Sequence, residues 1–229
     1  MRRAHVEVAG CTVGAIDAGL LVFVCGEPAD GEREAALTFA GATAGQPVAG
    51  TLLVGDLGGG SLELIVSRDG AIQDAASLQL GSNRFTERHI HADPPSRAMV
   101  AAAEADARAV LEPHAAASPA VDRLIMAGGT AAAITVLVPR VQHNDRLTGR
   151  RLEGAIALLT TAPAAALAAE TGLDPERVRT MPAGVAIIRA ILAAYGLDTA
   201  QVGTGGIREG LLIDYARSHP AEFAPGAAG

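Results

Sequence analysis

The chain has 229 residues, of which 49% are apolar and 19% are charged, and this suits one ordinary domain or two small ones with a packed core. Its formal net charge of -7 argues against a nucleic-acid partner, because nonspecific attraction to phosphate backbones needs clustered basic side chains. Two cysteines are too few for a disulfide framework, and no apolar run is long enough to cross a bilayer, so we expect a soluble cytoplasmic protein without a membrane partner. All 18 basic residues are arginine, which excludes the lysine-dependent phosphate loop GxxxxGK[ST].

The first predicted elements are strands. Residues 51–56 and 62–68 are short apolar segments joined by a run of glycines, and Asp69-Gly70 is typical of a hairpin turn. Residues 71–80 can return as a third strand. This part of the chain therefore predicts three antiparallel strands with a glycine loop between the first two.

A helix, a buried strand and a second helix follow. Ser96 is placed to cap a helix over residues 97–113, and residues 121–127 are typical of a buried strand. A helix over residues 131–138 then begins directly on the turn Gly128-Gly129-Thr130. A strand, a glycine turn and a helix N-terminus together suit phosphate binding.

The last part of the chain alternates helices and turns. It predicts helices over 152–160, 164–171, 184–195 and 207–218, with a short strand near 201–202. The final helix begins on a third glycine-rich turn at residues 203–206. Residues 221–229 are expected to be a loose tail.

The glycine run near residue 58 has a chemical interpretation. Several backbone N–H groups must approach a phosphate closely, and residues without a Cβ permit this in a tight turn. Ser61 adds a hydroxyl donor, while Asp56 at the end of the first strand can hold a metal ion or orient water. One glycine run alone also fits a plain hairpin. Convergence of all three glycine turns would form an anion site despite the acidic net charge.

Six collinear stretches resemble the Ppx/GppA phosphatases, which are exopolyphosphatases and guanosine pentaphosphate phosphohydrolases of the actin-like ATPase superfamily. GDLGGGSLELIV is similar to the second phosphate motif of that superfamily. The other stretches are GEREAALTFAGA, LQLGSNRFTERHIHADPPS, MAGGTAAAIT, ERVRTMPAGVAIIRA and GGIREGLLIDYA. The resemblance extends over about residues 25–216, and six matches in order are more specific than one motif.

This resemblance implies an α/β fold, an actin-like (ribonuclease H-like) lobe with a mixed sheet flanked by helices and with the first lobe largely missing. It divides the chain into a remnant of the N-terminal lobe (1–50), a C-terminal phosphatase lobe (51–220) and the tail (221–229). The implied reaction is hydrolysis of a terminal phosphoanhydride in polyphosphate or in a phosphorylated guanosine nucleotide, with Mg2+ as cofactor.

The resemblance also assigns roles to residues. Glu34 and Asp56 are the expected catalytic carboxylates, and Asp56 is also the expected metal ligand. From the residues alone, Glu34 is better interpreted as a solvated charge on a helix face, and Arg208 equally fits an exposed pair with Glu209. The expected phosphate-binding residues are Gly58, Gly59, Gly60, Ser61, Arg84, Gly128, Gly129, Thr130 and Arg208.

Two departures from the family pattern keep other hypotheses open. Leu62 stands where the family usually has threonine, and Asp17 leads almost at once into the stretch that contains Glu34. A second hypothesis is therefore a truncated, weak or inactive homologue that binds phosphate ligands or a partner, and self-association as a homodimer fits it. A sugar or acetate-type kinase of the actin fold shares the glycine loops, but LGSNRFTER and GIREGLL favour the phosphatase. His89 and His91 have metal-like spacing but are expected to be surface histidines in a loop.

Overall fold

The computed structural model describes residues 31–138 and 146–219, together with the backbone of three short strands near the start of the chain. Those strands are β1 (His5–Val8), β2 (Cys11–Ile16) and β3 (Gly19–Val22), and they form an antiparallel sheet of their own. Asp17 and the predicted tail lie outside the described residues. The predicted division of the chain at residue 50 stays a prediction.

Six further strands are β4 (Thr51–Leu57), β5 (Leu62–Arg68), β6 (Ala71–Leu78), β7 (Arg123–Ala127), β8 (Arg146–Thr148) and β9 (Thr199–Val202). They form a mixed sheet at the centre of the fold, in the order β6-β5-β4-β7-β9-β8. Its central strand β4 pairs antiparallel with β5 and parallel with β7, and β7 pairs parallel with β9. The predicted antiparallel unit of three strands and the predicted α/β class are therefore confirmed.

The turn between β5 and β6 has the conformation that its sequence predicts. Asp69 and Gly70 have φ values of 51° and 82°, which suit the two-residue hairpin turns that aspartate and glycine favour. The Asp69 carboxylate also accepts a hydrogen bond of 2.9 Å from the backbone N–H of Gly50. This contact fixes the start of β4 beside the turn.

Helices cover both faces of the sheet because alternate residues of the central strand are apolar on each side. Leu52 and Val54 of β4 pack with Ala35 on one face, whereas Leu53 and Leu57 join the larger core on the other. The first face carries α1 (Gly31–Ala42), against which α8 (Ile207–Ser218) packs. The larger core includes residues of α2 (Ser82–His89), α3 (Arg97–Ala117), α4 (Gly129–Leu137), α5 (Gly149–Leu159), α6 (Ala164–Thr171) and α7 (Pro175–Ala194).

The loop expected from His89 onward is confirmed except at its first residue, because His89 is the last residue of α2 and His91 lies in the loop that follows. The helix has no side-chain cap at Gly81, so the usual local start signal is absent. His89 is not a surface histidine: its ring lies 3.0 Å from an Asp106 carboxylate oxygen and 5.3 Å from the Phe85 ring. His91 is exposed, as expected. Among the described residues, no three His, Cys, Asp or Glu side chains are grouped to hold a metal ion.

Helix α7 begins nine residues earlier than predicted. Asp174 caps its start by accepting a hydrogen bond of 3.0 Å from the Arg177 N–H, and Pro175 occupies the first turn. The prediction began after Pro182 because proline inside a helix removes a backbone donor and clashes with the preceding turn. Pro182 is buried in the core, where packing stabilises the uninterrupted helix.

Within residues 31–138 and 146–219, no single helix is long and apolar enough to span a membrane. The pair α5 and α6 passes that test only when taken together, and the two helices are bent by 119° relative to each other.

The crossing of α1 and α8 depends on two glycines. A Cβ at Gly41 would collide with the carbonyl oxygen of Gly206, and a Cβ at Gly210 would collide with that of Leu37. These backbone atoms cannot swing aside like the end of a side chain. The two helices therefore approach backbone to backbone.

We expect Gly41→Ala to lower the free energy of unfolding by roughly 1–3 kcal/mol, because the added methyl group overpacks this crossing. Chemical denaturation followed by circular dichroism measures the change. Gly154→Ala is the matched control, since the nearest atom to a Cβ there is Val138 Cγ1 at 3.6 Å and alanine stabilises a helix by up to about 1 kcal/mol over glycine. Equal effects of the two substitutions would contradict the close crossing.

Candidate functional site

Asp56 lies near the end of β4, at the edge of the sheet where the parallel strands have their carboxyl ends. It is opposite Glu63 on β5 and beside Ala127 on β7. In open α/β sheets, ligands bind at this edge. The strand register thus puts the first predicted catalytic carboxylate where a site is expected.

Two glycine turns enclose the Asp56 carboxylate. A Cβ at Gly128, whose φ is 92°, would lie 2.8 Å from Asp56 Oδ1, and a Cβ at Gly206 would lie 3.2 Å from Oδ2. Residues with side chains would crowd the carboxylate at both positions. The glycine loop that follows β4 is the third turn at this point, so the three predicted turns converge on Asp56.

The pKa of Asp56 is raised from 3.8 to about 6, first by burial and then by the negative charges of Glu63, Glu209 and Glu34, in that order. The charged side chains that act on Asp56 are all carboxylates, so the surroundings of Asp56 are negatively charged. A bound cation or a proton on Asp56 relieves that repulsion.

The oxygen ligands that Asp56 offers suit Mg2+. This ion prefers carboxylate oxygens and commonly takes only one or two of them, with water and substrate phosphates as its other ligands. Asp56 offers such an oxygen at the edge of the sheet.

The glycine loop is held in shape by its own carbonyl groups. Gly58 N–H donates to the Ser61 carbonyl at 3.0 Å. The carbonyls of Gly58 and Gly59 accept hydrogen bonds of 2.9 Å and 3.0 Å from the first backbone amides of α2. Within the described part of the chain, the amides of Gly59, Gly60 and Ser61 donate to no protein acceptor. Three consecutive donors are thus available to an anion.

The side chains of Ser61 and Arg84 have protein partners. Ser61 Oγ donates to Glu63 Oε1 at 2.6 Å, and Arg84 Nε donates to the Gly60 carbonyl at 3.2 Å. Both contacts help to fix the loop. The phosphate-binding roles expected of these two side chains stay predictions.

The turn at Gly128 opens α4, and no side chain caps this helix. As in any α-helix, the first backbone amides of α4 have no carbonyl partner within the helix. The Arg177 guanidinium occupies the space that a side chain at Gly129 would take, and the Thr130 methyl group packs against Gly184 of α7. The turn thus brings backbone amide donors to the site, and α7 brings the Arg177 guanidinium beside them.

A cleft of about 600 Å³ joins these parts. Its lining includes four predicted site residues besides Asp56 and Thr130, namely Gly58, Gly59, Gly128 and Gly129. Arg177, Arg179 and Asn83 also line it and were missed by the sequence reasoning. The only sequence signal was that these three residues lie inside two of the stretches that carry the family resemblance.

Five predicted residues do not line this cleft: Glu34, Gly60, Ser61, Arg84 and Arg208. Glu34 lines a neighbouring groove of about 710 Å³ together with Glu63, although its charge still acts on Asp56. Arg208 is exposed near the start of α8. The structure therefore brings Glu34 near Asp56 but not into the same depression.

The raised pKa makes a prediction about stability. Between about pH 4 and pH 6 the folded chain keeps a proton on Asp56 that the unfolded chain has released, so stability falls as pH rises through this window. We expect Asp56→Asn to remove this fall and to gain roughly 1–2 kcal/mol over the unsubstituted chain between pH 4 and pH 7, allowing for partial exposure. Urea unfolding in metal-free buffer at both pH values measures it. Parallel pH profiles for the two proteins would contradict the raised pKa.

The chain is similar in sequence to curated proteins. Exopolyphosphatase 1 of Mycobacterium tuberculosis is 31% identical over 195 residues, covering 80% of this chain and 56% of the relative. A guanosine-5'-triphosphate,3'-diphosphate pyrophosphatase of Aeromonas hydrophila is 28% identical over 184 residues, covering 80% of this chain and 37% of the relative. The chain thus spans about half, or less, of the length of these curated relatives.

The fold is that of a solved structure. The Ppx/GppA phosphatase of Aquifex aeolicus superposes with a TM-score of 0.70 at 22% identity, covering 80% of this chain and 62% of that one. The sequence profile described as the Ppx/GppA phosphatase family matches residues 28–219. Since this match includes nearly all of the described residues, the chain belongs to the Ppx/GppA phosphatase family.

Proposed function

We propose that the chain is an exopolyphosphatase-like hydrolase that releases the terminal phosphate from inorganic polyphosphate. The observation that carries this proposal is the position of Asp56, whose pKa is raised to about 6 beside a loop with three free amides. Family membership and a relative named an exopolyphosphatase support it. We also propose a cytoplasmic setting, which the low cysteine content supports.

The lining of the cleft favours an inorganic chain over a guanosine nucleotide. Among the described residues that line it, none is aromatic and Leu57 is the only large apolar one. Stacking of a base on an aromatic ring is worth about 1–3 kcal/mol, and this cleft offers no such surface in its described part. Guanosine pentaphosphate is the second candidate substrate, supported by the relative named a guanosine-5'-triphosphate,3'-diphosphate pyrophosphatase.

In the proposed mechanism, the amides of Gly59, Gly60 and Ser61 hold oxygens of the terminal phosphoryl group, and Arg177 adds positive charge across the cleft. Such preorganised donors stabilise the charge that develops as the phosphoryl group is transferred. Asp56 would hold Mg2+, which supplies further neutralisation of phosphate charge when bound.

Glu34 is the proposed base. Its carboxylate accepts a proton from water as the water oxygen forms a bond to the terminal phosphorus, and the bond from that phosphorus to the bridging oxygen breaks. The products are orthophosphate and a chain that is shorter by one phosphoryl group. A positioned base contributes on the order of 10^2 to 10^4 in rate.

Phosphate binding without turnover is the alternative function. One observation favours it: Glu34 lines the groove next to the cleft and not the cleft itself. The binding donors belong to the described residues, whereas hydrolysis also needs a base within reach of the bound water.

We expect the purified chain with Mg2+ to release orthophosphate slowly from long-chain polyphosphate, and Asp56→Ala and Glu34→Ala each to lower the rate at least about 100-fold. A colorimetric phosphate assay measures the release. Glu112→Gln is the control carboxylate, because this exposed residue of α3 pairs only with Arg108 among the described residues. Turnover that survives both alanine substitutions would contradict the assigned roles, whereas binding of polyphosphate without release would favour the alternative function.

A further inference from the structure

Asn83 lies directly over the glycine loop. It is the second residue of α2, and its backbone amide already donates to the Gly59 carbonyl at 3.0 Å. Its side chain is exposed and lines the cleft. A Cβ at Gly59 would lie 2.9 Å from Asn83 Nδ2, so the carboxamide covers the Gly59 Cα from the cleft side.

The Asn83 carboxamide is an unused hydrogen-bonding group. No other described residue is a hydrogen-bond partner of this side chain, whereas the neighbouring Arg84 side chain is bonded to the loop. A carboxamide offers two N–H donors. Its place is fixed because the first turn of α2 is tied to the loop by the Ser82, Asn83 and Arg84 amides.

The charge of the cleft makes a neutral donor useful. The described residues that line it include four carboxylates, those of Asp56, Glu87, Asp174 and Glu176, but only two guanidinium groups. A phosphate chain therefore gains little from net charge there. Hydrogen bonds from uncharged donors bind phosphate oxygens without adding to the repulsion.

A phosphate chain bound at the glycine loop extends past Asn83. Of the three free amides, only that of Gly59 belongs to a residue that lines the cleft. A chain whose terminal phosphoryl group occupies these amides extends from Gly59 into the cleft. Asn83 is an uncharged side-chain donor at that exit, with Nδ2 2.9 Å from the position of a Cβ at Gly59.

We propose that Asn83 is a substrate-positioning residue that donates a hydrogen bond to the phosphoryl group next to the terminal one. This role gives the site a preference for ligands with at least two linked phosphoryl groups over orthophosphate. It rests on the proposed function, since it needs a phosphate chain in the cleft.

Calorimetric titration with imidodiphosphate, which carries two phosphoryl groups and resists hydrolysis, and with orthophosphate tests this role in the presence of Mg2+. We expect Asn83→Ala to weaken imidodiphosphate binding about 10-fold and orthophosphate binding less than twofold. Asn83→Asp should weaken imidodiphosphate binding further, because a carboxylate has no N–H donor and repels the ligand. Gln73→Ala is the matched control, since this exposed carboxamide on β6 bonds only to Ala71 within the described residues, and it should leave both affinities unchanged.

Asn83→Asp also separates binding from folding. A carboxylate in the first turn of a helix is favourable, so this variant should keep its thermal unfolding temperature while losing affinity. Imidodiphosphate affinity that is unchanged in both Asn83 variants, or an equal loss for both ligands, would overturn the role of Asn83 alone. Failure of the unsubstituted chain to bind either ligand would overturn the proposed function and this inference together.

Discussion

The Asp56 carboxylate is confined between two backbone turns that leave no room for a side chain, and the rest of the site is arranged around this confinement. Gly128 and Gly206 approach its two oxygens from α4 and α8. The second approach depends on the α1–α8 crossing, because Gly41 lets α1 lie against the Gly206 carbonyl. A contact between helices on one face of the sheet thus sets the surroundings of a carboxylate at the sheet edge.

The same confinement explains how an acidic protein can hold an anion. Burial and three neighbouring glutamates disfavour the charged form of Asp56, so the site gains from a cation. In the function we propose, neutral backbone amides of the glycine loop and the Arg177 guanidinium provide donors for phosphate without a broad basic surface. The net charge of -7 excludes general attraction to polyanions but not this local capture.

Local sequence signals predicted the elements that depend on local interactions. Asp69-Gly70 forms the expected turn, Ser96 caps α3 by accepting a hydrogen bond of 3.2 Å from the Met99 N–H, and the bounds of α8 are those predicted. The start of α2 was not predictable in this way, because its first amides are satisfied by carbonyls of a loop more than twenty residues earlier. The first half of α7 was not predicted because Pro182 is an unfavourable residue inside a helix. Tertiary packing around the buried Pro182 stabilises the helix in spite of this local signal.

The same distinction between local signals and tertiary packing applies to the residues of the candidate site. Asp56 and the glycines were predictable because each glycine turn is a short local pattern next to a predicted strand. Arg177 was not, because only the packing of α7 against α4 brings its guanidinium to Gly129. The exposed positions of Arg84 and Arg208 likewise depend on how α2 and α8 are oriented, which spacing along the chain does not fix.

The central claim is that Asp56 is a confined carboxylate whose charge is stabilised when a cation and a phosphate chain bind. A carbon-13 NMR titration of its side-chain carboxyl group measures this directly, in metal-free buffer and again with Mg2+ and imidodiphosphate. The structure predicts an apparent pKa near 6 in the first titration and a clearly lower pKa in the second. A pKa near the ordinary value of about 3.9 in metal-free buffer, or one that the ligands leave unchanged, would contradict the claim.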